Sequence, residues 1–373
     1  SLVGAVNSGA SFNIALGQCA LYSNTGHSNT ALGRFALCGN TTGGYNTAIG
    51  CRALFNSLSG TNNFAAGVCA LYSNWGGSYN TAIGPQAMCG NTTGLYNNAI
   101  GNAALKENTT GCYNNAMGEQ ALYYNTTGKC NTAIGQYALY GNTTGYANNA
   151  IGAHALRCNT TGLYNNAMGA MALYGSLSGS HNFAGGYGAL CSNWGGGYNT
   201  AIGCEALKSN TTGCNNAAIG QNALRANTEG NYNNALGTQA LYSNTSGCHN
   251  NAIGWSALLS NTTGTHNTAL GQQALYNNTE GTNNQAIGYY ALQGNSTGCY
   301  NNAIGRDALY ANTTGCFNAA IGWRALATNT TGCNNVAIGN RPMDQNITGS
   351  CNVAIGFQPL FYNATGGYNV ALG

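Results

Sequence analysis

Residues 97–113 read N-N-A-I-G-N-A-A-L-K-E-N-T-T-G-C-Y, and the glycine inside them, Gly101, returns every seventeen residues. The series runs from Gly33, Gly50 and Gly67 to Gly339, Gly356 and Gly373 without an insertion, and one earlier copy, closing at Gly17, is a residue shorter. The consensus is N-[TN]-A-I-G-x-x-A-L-x-x-N-T-T-G-x-Y. A strict short period marks a solenoid, in which each unit buries its apolar residues only by stacking on its neighbours. The reading is therefore all-β: a parallel β-solenoid of about 22 coils with a 17-residue repeat, spanning residues 1–373 as one elongated domain. At ~4.8 Å per rung the stack would be roughly 100 Å long.

Composition narrows the function classes. Charged residues are 5 % of the chain and the net charge is +3, with no basic run, so nucleic-acid binding has no electrostatic support. Glycine is abundant, but the every-third-residue spacing of collagen is absent. No apolar stretch is long enough for a transmembrane helix. Sixteen cysteines without a C-x-x-C pair favour an oxidising, extracellular or cell- or virion-surface location over zinc binding. The chain starts at Ser1 and stops at Gly373 inside its pattern, which reads as a piece of a longer repetitive fibre or a processed chain.

Numbering each coil from its closing glycine as position 0 separates the roles. Positions 0 and 10 are Gly, position 13 is Asn, position 15 is Ala, position 16 is mostly Ile, position 3 is Ala except for Pro342 and Pro359, and position 4 is Leu or Met. Two fixed glycines imply φ > 0 corners or close backbone approach. Charge never enters positions 0, 3, 4, 13, 15 or 16, so these face inward or a partner chain. The expectation is two short strands per coil, N-x-A-I-G and x-A-L-x, with Ile and Leu inside, joined by an N-T-T-G-x-Y corner. The Asn column (Asn46, Asn63, Asn80, Asn97, Asn114 and onward) would form a structural amide ladder along the axis.

The strings Asn46-Thr47-Ala48-Ile49-Gly50 and Asn352-Val353-Ala354-Ile355-Gly356 resemble the head repeats of trimeric autotransporter adhesins of the YadA type and are similar to repeats of some phage long tail fibres. The resemblance covers nearly the whole chain. It implies a left-handed β-roll, a homotrimer and an adhesive surface. The fixed corner is longer than in the usual head repeat, and neither a heptad stalk nor a membrane anchor is present in these residues.

Several residues are candidates for interaction. Two patches, residues 55–84 and 174–203, repeat at an offset of seven coils and carry Trp75 and Trp194; Trp255 and Trp323 lie elsewhere. Exposed Trp can stack on sugars or on a partner, or record only a duplication. Tyrosines form columns at positions 5 and 12, able to hold glycans, neighbouring chains or one another. N-x-[ST] acceptors recur at position 7, including Asn40, Asn91, Asn108 and Asn125, as glycosylation sites or as ordinary corner residues. Cys112 with Cys130, and Cys333 with Cys351, fall on adjacent coils within disulfide reach, or are free thiols.

No catalytic constellation, metal set or cofactor motif is found. Glu229 and Glu280 share position 9 three coils apart, and His249 and His266 share position 12 without a third ligand. The expected function is a structural or adhesive extracellular fibre, not an enzyme, partnered by its own copies and by surface glycans or a host receptor. The alternatives are a phage tail-fibre shaft for host attachment and an ice- or glycan-binding solenoid.

Overall fold

The computed structural model describes residues 11–373; the expected open start of the repeat at Ser1 lies outside them. The described chain is an all-β, parallel β-solenoid with one strand per seventeen-residue coil and no helix. It divides into two compact units, Ser1–Ala184 and Gly185–Gly373. The first holds β1 (Ile14–Leu16) to β10 (Asn166–Met168) and the second holds β12 (Thr200–Ile202) to β22 (Val370–Leu372). Strand β11 (Phe183–Gly185) straddles the boundary. Within each unit a strand pairs in parallel with the one a coil further on, so that Ala99 faces Ala116 and Ala218 faces Ala235.

Alternation along the strand decides which residues are inside. The position-15 alanines, such as Ala99 and Ala116, are fully buried, so both their neighbours point outward. The expectation that the position-16 isoleucine is internal is therefore corrected: Ile100 and Ile134 are 37 % and 39 % exposed. The Leu of position 4 is internal, and Leu105, Leu122 and Leu139 are fully buried.

The x-A-L-x segment is also not a strand. It is a run of turns with positive φ at positions 2 and 4, as at Gln120 (53°) and Leu122 (52°), and a third such residue follows at position 12, as at Tyr113 (60°). An L-residue in this region costs roughly 1–2 kcal/mol. Two gains offset that cost at position 4. Burying the Leu contributes about 1.5–3 kcal/mol, and the Leu122 N–H donates to the Ala138 carbonyl of the next coil at 3.0 Å.

The two invariant glycines serve different ends. Gly118, at position 0, has φ 140°, and an added Cβ would lie 2.6 Å from the Gly135 oxygen. Gly128, at position 10, needs no positive φ. Its Cβ would lie 2.3 Å from Asn125 Oδ1 and 2.5 Å from the Gly145 oxygen, so close approach alone excludes a side chain.

Two buried amide ladders fill the space those glycines leave. At position 13, Asn114 Nδ2 donates to Asn97 Oδ1 (3.1 Å) and to the Gly128 oxygen (2.8 Å), while its backbone N–H also donates to Asn97 Oδ1 (3.0 Å). At position 7, Asn108 Nδ2 donates to Asn91 Oδ1 (2.8 Å) and to the Gly111 oxygen (3.1 Å). Buried amides are tolerable only when so paired.

The second ladder breaks where position 7 is Ser. Ser57 and Ser176 leave their own hydroxyls and the Oδ1 atoms of Asn40 and Asn159, one coil earlier, buried without a hydrogen bond. Replacing Ser57→Asn restores the missing donor at a site that Asn fills in the neighbouring coils. The expected gain is about 1–2 kcal/mol, read from the shift in a denaturation midpoint. A loss of stability would show that the break accommodates the local backbone rather than weakening it.

Candidate functional site

The strand face presents the outward positions 14 and 16 on a floor of position-15 alanine. Position 16 forms an apolar stripe: Ile83, Ile100, Met117, Ile134 and Ile151 in the first unit are 37–44 % exposed, and Ile202, Ile219, Leu236, Ile253 and Leu270 in the second are 39–47 % exposed. Between the position-14 and position-16 rows of the second unit lies a shallow cleft of about 260 Å³ at Asn234, Leu236 and Asn251. The absence of charge from position 16 in the sequence is the signal for this stripe; it marks an outward apolar surface, not the core.

The aromatic columns are organised along the axis. Tyr79, Tyr96 and Tyr113 stack face to face at 4.8 and 5.1 Å, and Tyr232, His249 and His266 do so at 5.0 and 4.9 Å. Within a stack the ring faces cover one another and leave mainly edges for a sugar. Position 5 mixes cations with tyrosines. Lys106 Nζ donates to the Tyr123 hydroxyl (3.0 Å) and Arg157 Nη1 to that of Tyr174 (2.8 Å), with cation–π contacts alongside. One column therefore tolerates both residue types.

The four tryptophans are half-exposed but are not gathered into one site. Trp75 and Trp194 occupy position 8 in separate units, at 54 % and 60 % exposure. Trp255 and Trp323 share position 1 four coils apart, roughly 19 Å on strand spacing, and Arg341 lies 5.7 Å over the Trp323 ring. The position-8 threonines donate to the next coil's carbonyl, as Thr126 Oγ1 does to Thr143 (3.1 Å). Hydroxyls engaged this way do not form a free array for ice.

Two sets of candidates need correction. The sequon asparagines Asn40, Asn91, Asn108 and Asn125 are fully buried, and their Nδ2 atoms are the donors of the position-7 ladder. A glycan on that nitrogen has no room. Cys112, Cys130, Cys333 and Cys351 are free thiols. Position-11 thiols turn back on the backbone: Cys112 Sγ donates to the Thr110 carbonyl (3.3 Å) and accepts the Leu95 N–H (3.4 Å). Ser180 Oγ and Ser350 Oγ make the same pair of contacts in their coils. The thiol thus substitutes for a serine hydroxyl. In the run Cys299, Cys316, Cys333, burial pushes the Cys316 thiol above its ordinary pKa, with the Cys299 N–H opposing the shift and the flanking thiols adding to it, which favours the protonated form. Cys316→Ser is expected to leave the melting temperature nearly unchanged. Cys316→Val strands the Cys299 N–H and should cost about 1–2 kcal/mol; equal tolerance of both in a melting assay would refute the capping role.

Ion pairs unforeseen in the sequence link position 2 of one coil to position 5 of the same and the next coil. Glu205 pairs with Lys208 (2.6 Å) and Arg225 (2.9 Å), and these two hydrogen bonds hold its carboxyl below the usual range. Asp344 is fully buried beneath Arg324, which grips both its oxygens at 3.0 and 3.1 Å, and Arg341, at 2.6 Å. Burial alone would raise the Asp344 pKa, but the two guanidinium hydrogen bonds outweigh it and the net shift is downward. The spacing of i, i+3 and i+20 between opposite charges was the available signal.

No protein-family model matches the chain, and no curated protein is similar to it. Among the described residues no helix is long and apolar enough to cross a membrane, and no group of three or more His, Cys, Asp or Glu side chains could hold a metal.

A carboxyl with a lowered folded-state pKa stabilises the fold fully above its unfolded value, near 3.8, and loses that contribution as pH falls from there through the folded value. Asp344→Asn is expected to cost about 2–4 kcal/mol at pH 7, toward the low end because both guanidiniums reach solvent. The deficit relative to the parent should narrow in denaturation curves taken below pH 4. A deficit independent of pH would assign the effect to packing instead.

Proposed function

We propose that this chain is a structural or adhesive extracellular fibre segment, a left-handed roll as the resemblance to adhesin heads implies, built to associate laterally with copies of itself. The observation that carries the reading is the position-16 stripe: apolar, half-exposed, uncharged and repeated from coil to coil. Isolated exposed apolar residues are ordinary, but a continuous row is an interaction surface. Covering one such side chain removes roughly 70 Å² from water, about 1.5–2 kcal/mol. Ten coils would contribute roughly 700 Å² per partner, close to the roughly 800 Å² of a standard interface. A second copy matches the stripe in period by construction, whereas an unrelated globular partner has no seventeen-residue rhythm to match.

Sedimentation velocity of the purified chain is expected to report a discrete multimer, with a trimer as the leading stoichiometry. The double variant Ile134→Lys with Ile151→Lys, which places charge on the stripe without touching the Leu core, should shift it toward monomer while circular dichroism stays unchanged. A monodisperse monomer for the parent chain, or a multimer indifferent to the two lysines, would overturn the reading.

A further inference from the structure

In the second unit the face formed by positions 1, 2 and 5 is filled by side chains meeting across adjacent coils, as Glu205 meets Arg225, Gln273 meets Gln293 and Arg324 meets Asp344. The filling is incomplete around residue 327. Position 5 of the coil that follows Gly322 is Ala327, the smallest side chain found at that position, where Tyr is commonest, and position 6 of the preceding coil is Ala311. A notch of about 460 Å³ results, within the size range of small-ligand sites.

Its walls are chemically specific. Tyr289 and Tyr290 pack together at 3.8 Å between centroids, and Tyr290 meets Tyr310 edge-on at 6.1 Å. Two arginines reach the notch. Arg306 donates from Nε to Asp307 (3.2 Å) and is 68 % exposed at its side chain. Arg324 uses Nε and Nη2 on Asp344. Neither arginine engages Nη1 in a hydrogen bond, and Arg306 keeps Nη2 open as well. Arg306, Arg324 and Arg341 against Asp307 and Asp344 leave one surplus positive charge, in a chain whose charged residues are only 5 % of the total.

We propose that this notch binds a hexopyranose bearing a carboxylate, a uronic-acid unit of an acidic glycan. Tyr310, exposed at the notch, provides the aromatic surface on which a sugar ring packs, while Arg306 lies 5.6 Å over the Tyr289 ring. The open Nη groups of Arg306 and Arg324 provide the planar donors that suit a carboxylate, and Asp307 accepts from ring hydroxyls. The alanines supply the space. The site is complete within one copy of the chain and does not rest on the assembly reading, so either can fail without the other.

Calorimetric titration of the whole chain with sodium glucuronate tests it, with glucose and sodium acetate as separate probes. Saturable glucuronate binding is expected, with glucose and acetate at least tenfold weaker. Ala327→Tyr installs the commonest residue of position 5 and fills the notch, and Arg306→Gln removes the open guanidinium at an exposed side chain. Each should weaken glucuronate at least tenfold, with circular dichroism unchanged. No saturation, or binding indifferent to Ala327→Tyr, would overturn the site. Acetate binding as well as glucuronate would reduce it to a simple anion contact, and glucose binding as well would remove the arginines from recognition; either result refutes the proposal.

Discussion

Everything in this fold depends on how closely successive coils approach at positions 0 and 10. With no Cβ there, the Gly128 backbone lies against the Gly145 carbonyl and the amides of Asn125 and Asn142. That proximity lets identical asparagines pass hydrogen bonds from coil to coil inside the protein. The interior is consequently unlike an ordinary hydrophobic core. It is a column of Leu and Ala flanked by two columns of paired amides, each useless without its neighbour above or below. A single coil gains little from any of them, which is why the period is so strict.

Much of this could be read from the chain, and the misreadings have physical causes. The period, the parallel stacking, the inward Leu and the special standing of the position-13 asparagines follow from copies compared with one another. The direction of Ile does not, because absence of charge fits an outward apolar stripe as well as a buried one. Yet the buried Ala at position 15 already required its neighbour to point outward. A subtler signal sat at position 4, which admits Leu and Met but never Val or Ile. A β-branched side chain is strongly disfavoured at positive φ, and Leu122 and Met88 both have it. The same rule explains why Ile, excluded there, is at home in the strand.

The candidate residues divide along similar lines. The sequons are real as strings, but their amide nitrogens are committed to the interior ladder, a fact that no local motif carries. The cysteines suggest bridges because their spacing is right; the position-11 thiols instead do a hydroxyl's work, as the occurrence of Ser180 and Ser350 at the same position signals. The ion pairs of Asp344 and Glu205, and the notch at Ala327, arise from residues twenty apart meeting across a rung. Such diagonal contacts become visible only when the coil's turns are known.

The two amide ladders have one further property: they point the same way. In both, the bond from one asparagine to the next runs from Nδ2 to the Oδ1 of the preceding coil, as from Asn114 to Asn97 and from Asn108 to Asn91. A stack of such coils is polar in the sense that a bar magnet is polar. Wherever the position-7 ladder is cut, one fresh surface offers side-chain amide hydrogens and the other offers side-chain amide oxygens. Two like surfaces brought together would set donor against donor or acceptor against acceptor, at the cost of unpaired buried groups. Any coil added to an open surface must therefore arrive in the same orientation as those already there, so growth by stacking has a built-in arrow.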